Sequence, residues 1–257
     1  MRLSSILCKL SVAVLAFWCV AGVASAQALD VKMKVVGLSP PRVRVEGRRE
    51  GGASAWSFRN FYGSAAGLAE RVENFTLTDD NGAAVNVKKI APGEFTAERP
   101  ASRFAYDLKL DPPAFVSDAP HISWLTPERG LLMPGDILPL PLKDLRLELV
   151  LPAGWNVSTV EEGKRAGAFD VADAERAVFA VGRDLREKRT RAGGMAFTLA
   201  AAGDWAFNDA EAADSAEEIL KLHQETFGAA PRQRALLVLF PLPQSGAAGN
   251  LWGAETR

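Results

Sequence analysis

Between residues 29 and 202 the chain alternates apolar and polar residues in short runs, and this pattern constrains the fold more than any other feature. In the segment 104–110, apolar side chains occupy every second position. Such period-two alternation is typical of strands with one buried face and one wetter face. It recurs in the segments 29–35, 42–46 and 145–151, and shorter apolar runs occupy 168–171, 177–181 and 195–199.

Turn residues separate these runs. Asp80, Asn81 and Gly82 provide a tight hairpin between the apolar segments 75–77 and 85–87. Many short strands at regular spacing, with hardly any helical pattern among them, indicate an antiparallel sandwich. The sequence therefore predicts a mainly β fold, with an antiparallel β-sandwich over residues 27–202.

The C-terminal part of the chain changes pattern. Ser215 and Glu218 match the Ser-x-x-Glu capping box, and Gly228 can adopt the left-handed conformation that ends a helix. These signals predict a helix from Ser215 to Phe227, with Ile219 and Leu222 on its buried face. Residues 203–257 are therefore predicted to form a short α/β segment.

A continuous apolar run follows the helix at positions 235–240 (ALLVLF). A strand that is apolar on both faces is expected to be covered on both sides. Only one substantial helix is predicted nearby, so we expect apolar surface to remain exposed around 236–240.

The N-terminus has the three parts of a secretory signal peptide. Arg2 and Lys9 are basic, the segment 11–23 is almost entirely apolar, and Ala24-Ser25-Ala26 matches a cleavage site. We expect residues 1–26 to be removed and the product to be secreted or periplasmic. The alternative is an uncleaved membrane anchor, although the apolar stretch is shorter than a bilayer requires.

The expected mature chain would contain neither cysteine, because Cys8 and Cys19 both lie in the signal peptide. A secreted chain without cysteines fits a bacterial exterior better than a disulfide-rich secretory pathway. Cleavage would also remove two basic residues and no acidic ones, which leaves a slightly negative chain. That charge predicts neither nucleic-acid binding nor stable attachment to an anionic membrane.

A proline-rich segment interrupts the strand pattern. Residues 111–141 contain seven prolines, with His121, Trp124 and Asp136 among them. Loops of this length inside a compact domain are often functional. The other interpretation is a stiff cover over an open edge of the sandwich.

Several segments together resemble the N-terminal region of the glycyl-aminopeptidase family, which is related to the aminopeptidase N group of gluzincin metallopeptidases. They are the β-rich region around 56–60, the Trp124-Leu125-Thr126-Pro127 segment, the helix ending at Phe227-Gly228, the strand at 236–240 and the residues 252–257. The resemblance implies a β-sandwich followed by the start of a thermolysin-like peptidase domain, and a chain that ends before the zinc-binding motif.

Members of that family bind zinc through His-Glu-x-x-His on a helix, in which both histidines share one face. This chain has only two histidines, His121 and His223, at distant positions. We therefore predict no catalytic and no metal-binding residue, and no cofactor in this chain. Zinc is expected only in a full-length relative, which the resemblance implies would be an aminopeptidase.

The resemblance also implies one candidate for substrate binding. In related gluzincins an edge strand binds the substrate backbone, and a nearby acidic residue holds the free amino terminus. Glu255 occupies that position here. The leading hypothesis is therefore a non-catalytic N-terminal portion that supports a peptide-binding cleft, with a peptide or protein as partner. The alternative is a freestanding secreted β-sandwich that binds protein or polysaccharide.

Overall fold

Strands make up most of the structure, a computed structural model that describes residues 28–228, 233–241 and 252–256. Two α-helices are described, α1 (Pro134–Ile137) and α2 (Asp209–Phe227), together with 3₁₀ turns at Leu68–Arg71 and Val116–Asp118. The predicted signal peptide lies outside the described residues. In chain order the strands are β1 (Leu29–Leu38), β2 (Pro41–Ser57), β3 (Phe61–Tyr62), β4 (Ala65–Ala66), β5 (Val72–Thr78), β6 (Ala84–Val85), β7 (Val87–Ala91), β8 (Glu94–Lys109), β9 (Trp124–Leu125), β10 (Arg129–Leu132), β11 (Leu145–Val150), β12 (Asn156–Ser158), β13 (Glu162–Arg165), β14 (Ala168–Val171), β15 (Phe179–Gly182), β16 (Arg186–Ala192), β17 (Met195–Ala201), β18 (Arg234–Pro241) and β19 (Trp252–Thr256).

The first layer is a nine-stranded sheet, which we call the large sheet. Its order is β13-β14-β11-β1-β2-β8-β5-β6, and β7 pairs with β8. All its pairs are antiparallel except β1 with β11. The predicted alternation is observed: Leu29, Val31 and Met33 are buried, and the residues between them are exposed. The predicted hairpin is also confirmed, with Leu77 opposite Val85.

The second layer is a four-stranded sheet in the order β12-β15-β10-β9, which we call the small sheet. Leu125, Leu132 and Phe179 from this sheet share one apolar core with the large sheet. Two sheets that pack face to face across a common core form a sandwich. The predicted fold class is confirmed.

The proline-rich segment supplies half of the small sheet, because β9 and β10 both lie in it. The segment is therefore not one continuous loop, since most of residues 122–139 are buried. A buried polar cluster fixes its path. The Arg71 guanidinium donates to both the carboxylate and the carbonyl oxygen of Asp136, and Ser123 donates to the same carboxylate from its amide and hydroxyl groups.

The third layer is a four-stranded sheet in the order β16-β17-β18-β19, which we call the C-terminal sheet. Strands β17 and β18 are parallel and are joined through α2, as expected for a parallel pair. The boundary predicted at residue 202 therefore falls between two neighbouring strands of this sheet.

Strand β18 is covered on both faces. Leu236, Val238 and Phe240 are buried against a second face of the small sheet, together with Trp124 and Leu131. The prediction of exposed apolar surface around 236–240 is therefore wrong, because the small sheet supplies the cover that the sequence did not show. On the opposite face, Leu237 and Leu239 pack towards α2 with Phe197, Leu199 and Ala213.

Helix α2 begins at Asp209, not at Ser215. The capping box is formed by Asn208 and Glu211: the Asn208 side chain accepts from the amides of Ala210 and Glu211, and the Glu211 side chain accepts from the Asn208 amide. The predicted end at Gly228 is confirmed, since this glycine has φ 78°.

The predicted buried face of α2 is also wrong. Ile219 and Leu222 are each 54% exposed, and Phe227 is 77% exposed. The face that packs on the C-terminal sheet consists of small and aliphatic residues: Ala212, Ala213, Ala216 and Leu220. Alanine side chains bring the helix backbone close to the sheet, which leaves the larger residues on the outer side.

Candidate functional site

The candidate site is the outer edge of the C-terminal sheet, formed by β19. This strand runs antiparallel to β18, with Thr256 opposite Leu237 and Glu255 opposite Val238. Among the described strands, β19 pairs with β18 alone, so its other edge has no strand partner there. Backbone amides and carbonyls along such an edge are able to pair with an added extended peptide.

The strand that supports this edge is held firmly. Leu236 and Phe240 are each 3% exposed, and Val238 is 7% exposed. Burying aliphatic and aromatic side chains of this size contributes roughly 1.5–3 kcal/mol each. Strand β18 is therefore a rigid support for β19, because its position is fixed by packing on two faces.

A polar junction fixes the end of β18 at which β19 begins. Arg129 of the small sheet donates to the Asp184 carboxylate across 2.6 Å, and the Gly203 amide donates to the same oxygen across 2.9 Å. Gly203 lies against Pro241, since a Cβ at Gly203 would be 2.5 Å from the proline ring. Pro241 in turn pairs with Trp252, the first residue of β19.

The Asp184 carboxylate in this junction is held in its ionised form. Burial is the strongest single influence and acts to raise its pKa, but the Gly203 amide and the Arg129 guanidinium together outweigh it. The pKa of Asp184 therefore lies below its ordinary value. An ionised Asp184 is the form that accepts both hydrogen bonds, so the junction is complete at neutral pH.

The two histidines lie on separate elements and do not form a site. His121 is exposed in the proline-rich segment, where its amide donates to the Asp118 carbonyl oxygen. His223 is exposed on α2, with its ring 6.1 Å from that of Phe227. Within residues 28–228, 233–241 and 252–256, no group of three or more histidine, cysteine, aspartate or glutamate side chains is arranged to hold a metal ion.

Sequence reasoning missed the junction of Arg129, Asp184 and Gly203. These residues come from three different segments, and none of them belongs to a recognisable motif. The only local signal is Gly203, which follows the strand β17 and has φ 77°, a value that favours glycine. No helix among the described residues is long and apolar enough to cross a membrane.

Comparisons with solved structures show which proteins share this fold. No protein family and no curated protein matches the chain by sequence. Among solved structures, an aminopeptidase N family protein from Idiomarina loihiensis superposes with a TM-score of 0.69 at 14% identity, over 81% of this chain and 38% of that one. An M1 zinc metallopeptidase from Deinococcus radiodurans, bound to a Tyr-Ser-Ala substrate, superposes with a TM-score of 0.53 at 16% identity, over 86% of this chain and 57% of that one.

The matched part is the N-terminal region of these longer proteins. The resemblance to the N-terminal region of aminopeptidase N-type metallopeptidases is therefore confirmed as a likeness of fold. The chain spans only 38% and 57% of the two solved proteins.

Proposed function

We propose that this chain is the non-catalytic N-terminal portion of an extracytoplasmic metallopeptidase-like protein, and that it supports a peptide-binding cleft. The observation that carries the proposal is the place of β19, at the edge of a sheet whose next strand is covered on both faces. A rigid edge of this kind suits the addition of an extended peptide. The likeness to a metallopeptidase bound to a Tyr-Ser-Ala substrate supports a peptide as the ligand class.

In this proposal Glu255 pairs with the free amino terminus of the peptide. Its position in β19, opposite Val238, places it on the strand that would receive the substrate backbone. A carboxylate that accepts a hydrogen bond from an ammonium group forms a stronger contact than a neutral pair does. The sandwich positions the edge, and the peptide lies along it. Export through residues 1–26 belongs to the same proposal.

The test is a titration of the purified chain with peptide, in which backbone NMR signals report binding. Tyr-Ser-Ala with a free amino terminus should shift the amide signals of residues 252–256, and N-acetyl-Tyr-Ser-Ala should bind at least about tenfold more weakly. Glu255→Gln should remove the difference between the two peptides. Glu225→Gln, a matched change at an exposed position of α2, should leave it intact. Equal binding of both peptides to the unmodified chain contradicts the proposal.

The alternative of a freestanding binding module has one observation in its favour. Trp205 and Phe207 stack with ring centroids 5.2 Å apart, and Phe207 is 39% exposed. Binding of a soluble polysaccharide that is lost in Phe207→Ala and retained in Glu255→Gln would favour this alternative over the peptide cleft.

A further inference from the structure

A separate cavity lies between β18 and the small sheet. Its volume is about 150 Å³, and none of its lining residues belongs to β19. Most of the lining is aliphatic and comes from four segments of the chain. The apolar lining residues are Leu131, Met133, Val160, Val178, Leu236 and Val238.

The size of this cavity limits what it can hold. An apolar space of roughly this volume accepts a single small ring or a short branched alkyl group. A group of that size would contact Leu236 and Val238 on one side and Leu131 and Val178 on the other. The apolar part of any ligand must therefore be compact.

Four charged residues also line the cavity: Glu161, Asp173, Arg176 and Arg234. Both arginines already have partners. Arg234 donates to the Val160 carbonyl oxygen across 3.0 Å and to Glu162 across 2.8 Å. Arg176 lies 3.7 Å from Asp173. Glu161 differs, because its carboxylate accepts no hydrogen bond from the described part of the chain.

The surroundings of Glu161 disfavour its charge. Burial is the main cause that raises its pKa, and the nearby carboxylates of Asp173 and Glu162 add to the increase. The Arg234 guanidinium acts in the opposite direction but does not cancel them. A half-buried carboxylate without a hydrogen-bond donor gains free energy when a ligand brings one.

We propose that this cavity binds a small primary ammonium ion with a compact apolar body, whose ammonium group donates to the Glu161 carboxylate. The aliphatic walls select the body and the carboxylate selects the head group. An anionic ligand of the same shape is disfavoured, because the Glu161 carboxylate would repel it and Arg234 already donates to Val160 and Glu162. This inference is independent of the peptide cleft at β19.

The probe for this site is 3-methylbutylamine, with 3-methylbutanol and 3-methylbutanoate as matched neutral and anionic ligands. In an NMR titration of the purified chain, the amine should shift the amide signals of residues 160, 178 and 238 in a saturable way. We expect it to bind about tenfold or more tightly than the alcohol, since charge-assisted hydrogen bonds exceed neutral ones. The acid should bind more weakly than both.

Three variants test where the amine binds. Glu161→Gln should reduce the affinity for the amine to that for the alcohol and leave the alcohol unchanged. Asp170→Asn, which alters a neighbouring carboxylate that pairs with Lys164 outside this cavity, should leave both affinities unchanged. Val160→Trp should fill the cavity and abolish binding of both ligands, with circular dichroism as the check on folding.

Any of four results overturns the proposal. They are the absence of saturable shifts with the amine, shifts that map away from the cavity, equal affinity for amine and alcohol, and amine binding that survives Glu161→Gln.

Discussion

The Arg71 guanidinium donates to the Asp136 carboxylate across 2.9 Å, in a place where the two side chains are only 14% and 3% exposed. The same guanidinium donates to the carbonyl oxygens of Leu68 and Ser123. It therefore joins the 3₁₀ turn at Leu68–Arg71 to two parts of the proline-rich segment. Apart from the bond to Leu68, the hydrogen bonds of Arg71 reach Ser123 and Asp136 in the proline-rich segment, which makes the cluster a clamp on the path of β9 and β10.

Removal of one member of this clamp should be costly. Arg71→Met leaves the Asp136 carboxylate buried without its cation, and the free energy of unfolding should fall by about 3–5 kcal/mol. Arg44→Met is the control, because Arg44 pairs with Asp107 on a more exposed face, and its loss should cost about 1 kcal/mol or less. Urea denaturation of both variants measures the difference, and equal losses would show that the buried clamp stabilises the fold no more than the exposed pair does.

The position of the helix cap gives a second prediction. Asn208→Ala removes the acceptor for two amides at the start of α2 and should cost about 1 kcal/mol. Ser215→Ala lies inside the helix and should change stability by less than about 0.5 kcal/mol. Thermal unfolding of the two variants compares the observed cap with the one that the sequence suggested. A larger loss for Ser215→Ala would contradict the observed start of the helix.

Gly130 in β10 predicts a steric effect. A Cβ there would lie 2.3 Å from the Trp124 carbonyl oxygen and 2.6 Å from Leu125 Cδ2. Gly130→Ala should therefore destabilise the chain by roughly 1–3 kcal/mol, since both faces of the small sheet are packed. Gly163→Ala, where the nearest atom is 3.9 Å away, is the matched control and should be neutral or slightly stabilising. Chemical denaturation distinguishes the two.

The junction at Asp184 predicts a dependence on pH. Because its pKa is lower in the folded chain than in the unfolded chain, the carboxylate stabilises the fold above pH of about 4 and this contribution is lost as the pH falls through the folded pKa. Asp184→Asn should therefore be less stable than the unmodified chain at pH 7, and the difference should shrink towards pH 2. The measurement is the urea midpoint across that range, and a constant difference would refute the assignment.

Hydrogen exchange tests the two-sided cover of β18. Amides in Arg234–Pro241 should exchange about as slowly as those in Leu145–Val150, because both strands are paired and packed in apolar cores. A purely local reading of the sequence suggests faster exchange in β18. Exchange in β18 that is many times faster than in β11 would mean that the small sheet does not hold it in solution.

The strands of the large sheet could be predicted because their pattern is local. In Leu145–Val150 each side chain shows its face by alternation alone. The small sheet could not be predicted in this way, since Leu131 and Leu132 in β10 face two different cores and both are apolar. The alternation of apolar and polar residues disappears when both faces of a strand are buried in apolar surroundings. Proline content then suggested a loop where the chain forms two strands.

The prediction of where α2 begins was wrong for a different reason. Asn208-x-x-Glu211 and Ser215-x-x-Glu218 both match a capping box, and nothing in the local sequence ranks one above the other. The choice depends on Ala212 and Ala213, which pack on the C-terminal sheet only if the helix already includes them. The candidate site was identified from resemblance alone, and the role of Glu255 remains a prediction.

Both faces of the small sheet pack against other sheets, and this affects where the chain can be truncated. Cutting after residue 202 would leave Trp124, Leu131 and Ala180 without the strand that now covers them. The shortened protein would expose this apolar face of the small sheet, and its C-terminal sheet would be reduced to the β16–β17 hairpin. It should therefore precipitate or self-associate. The recombinant unit that behaves well in solution should therefore keep residues 28–256 together, so that β18 retains both of its neighbouring strands, and its melting should be a single calorimetric transition.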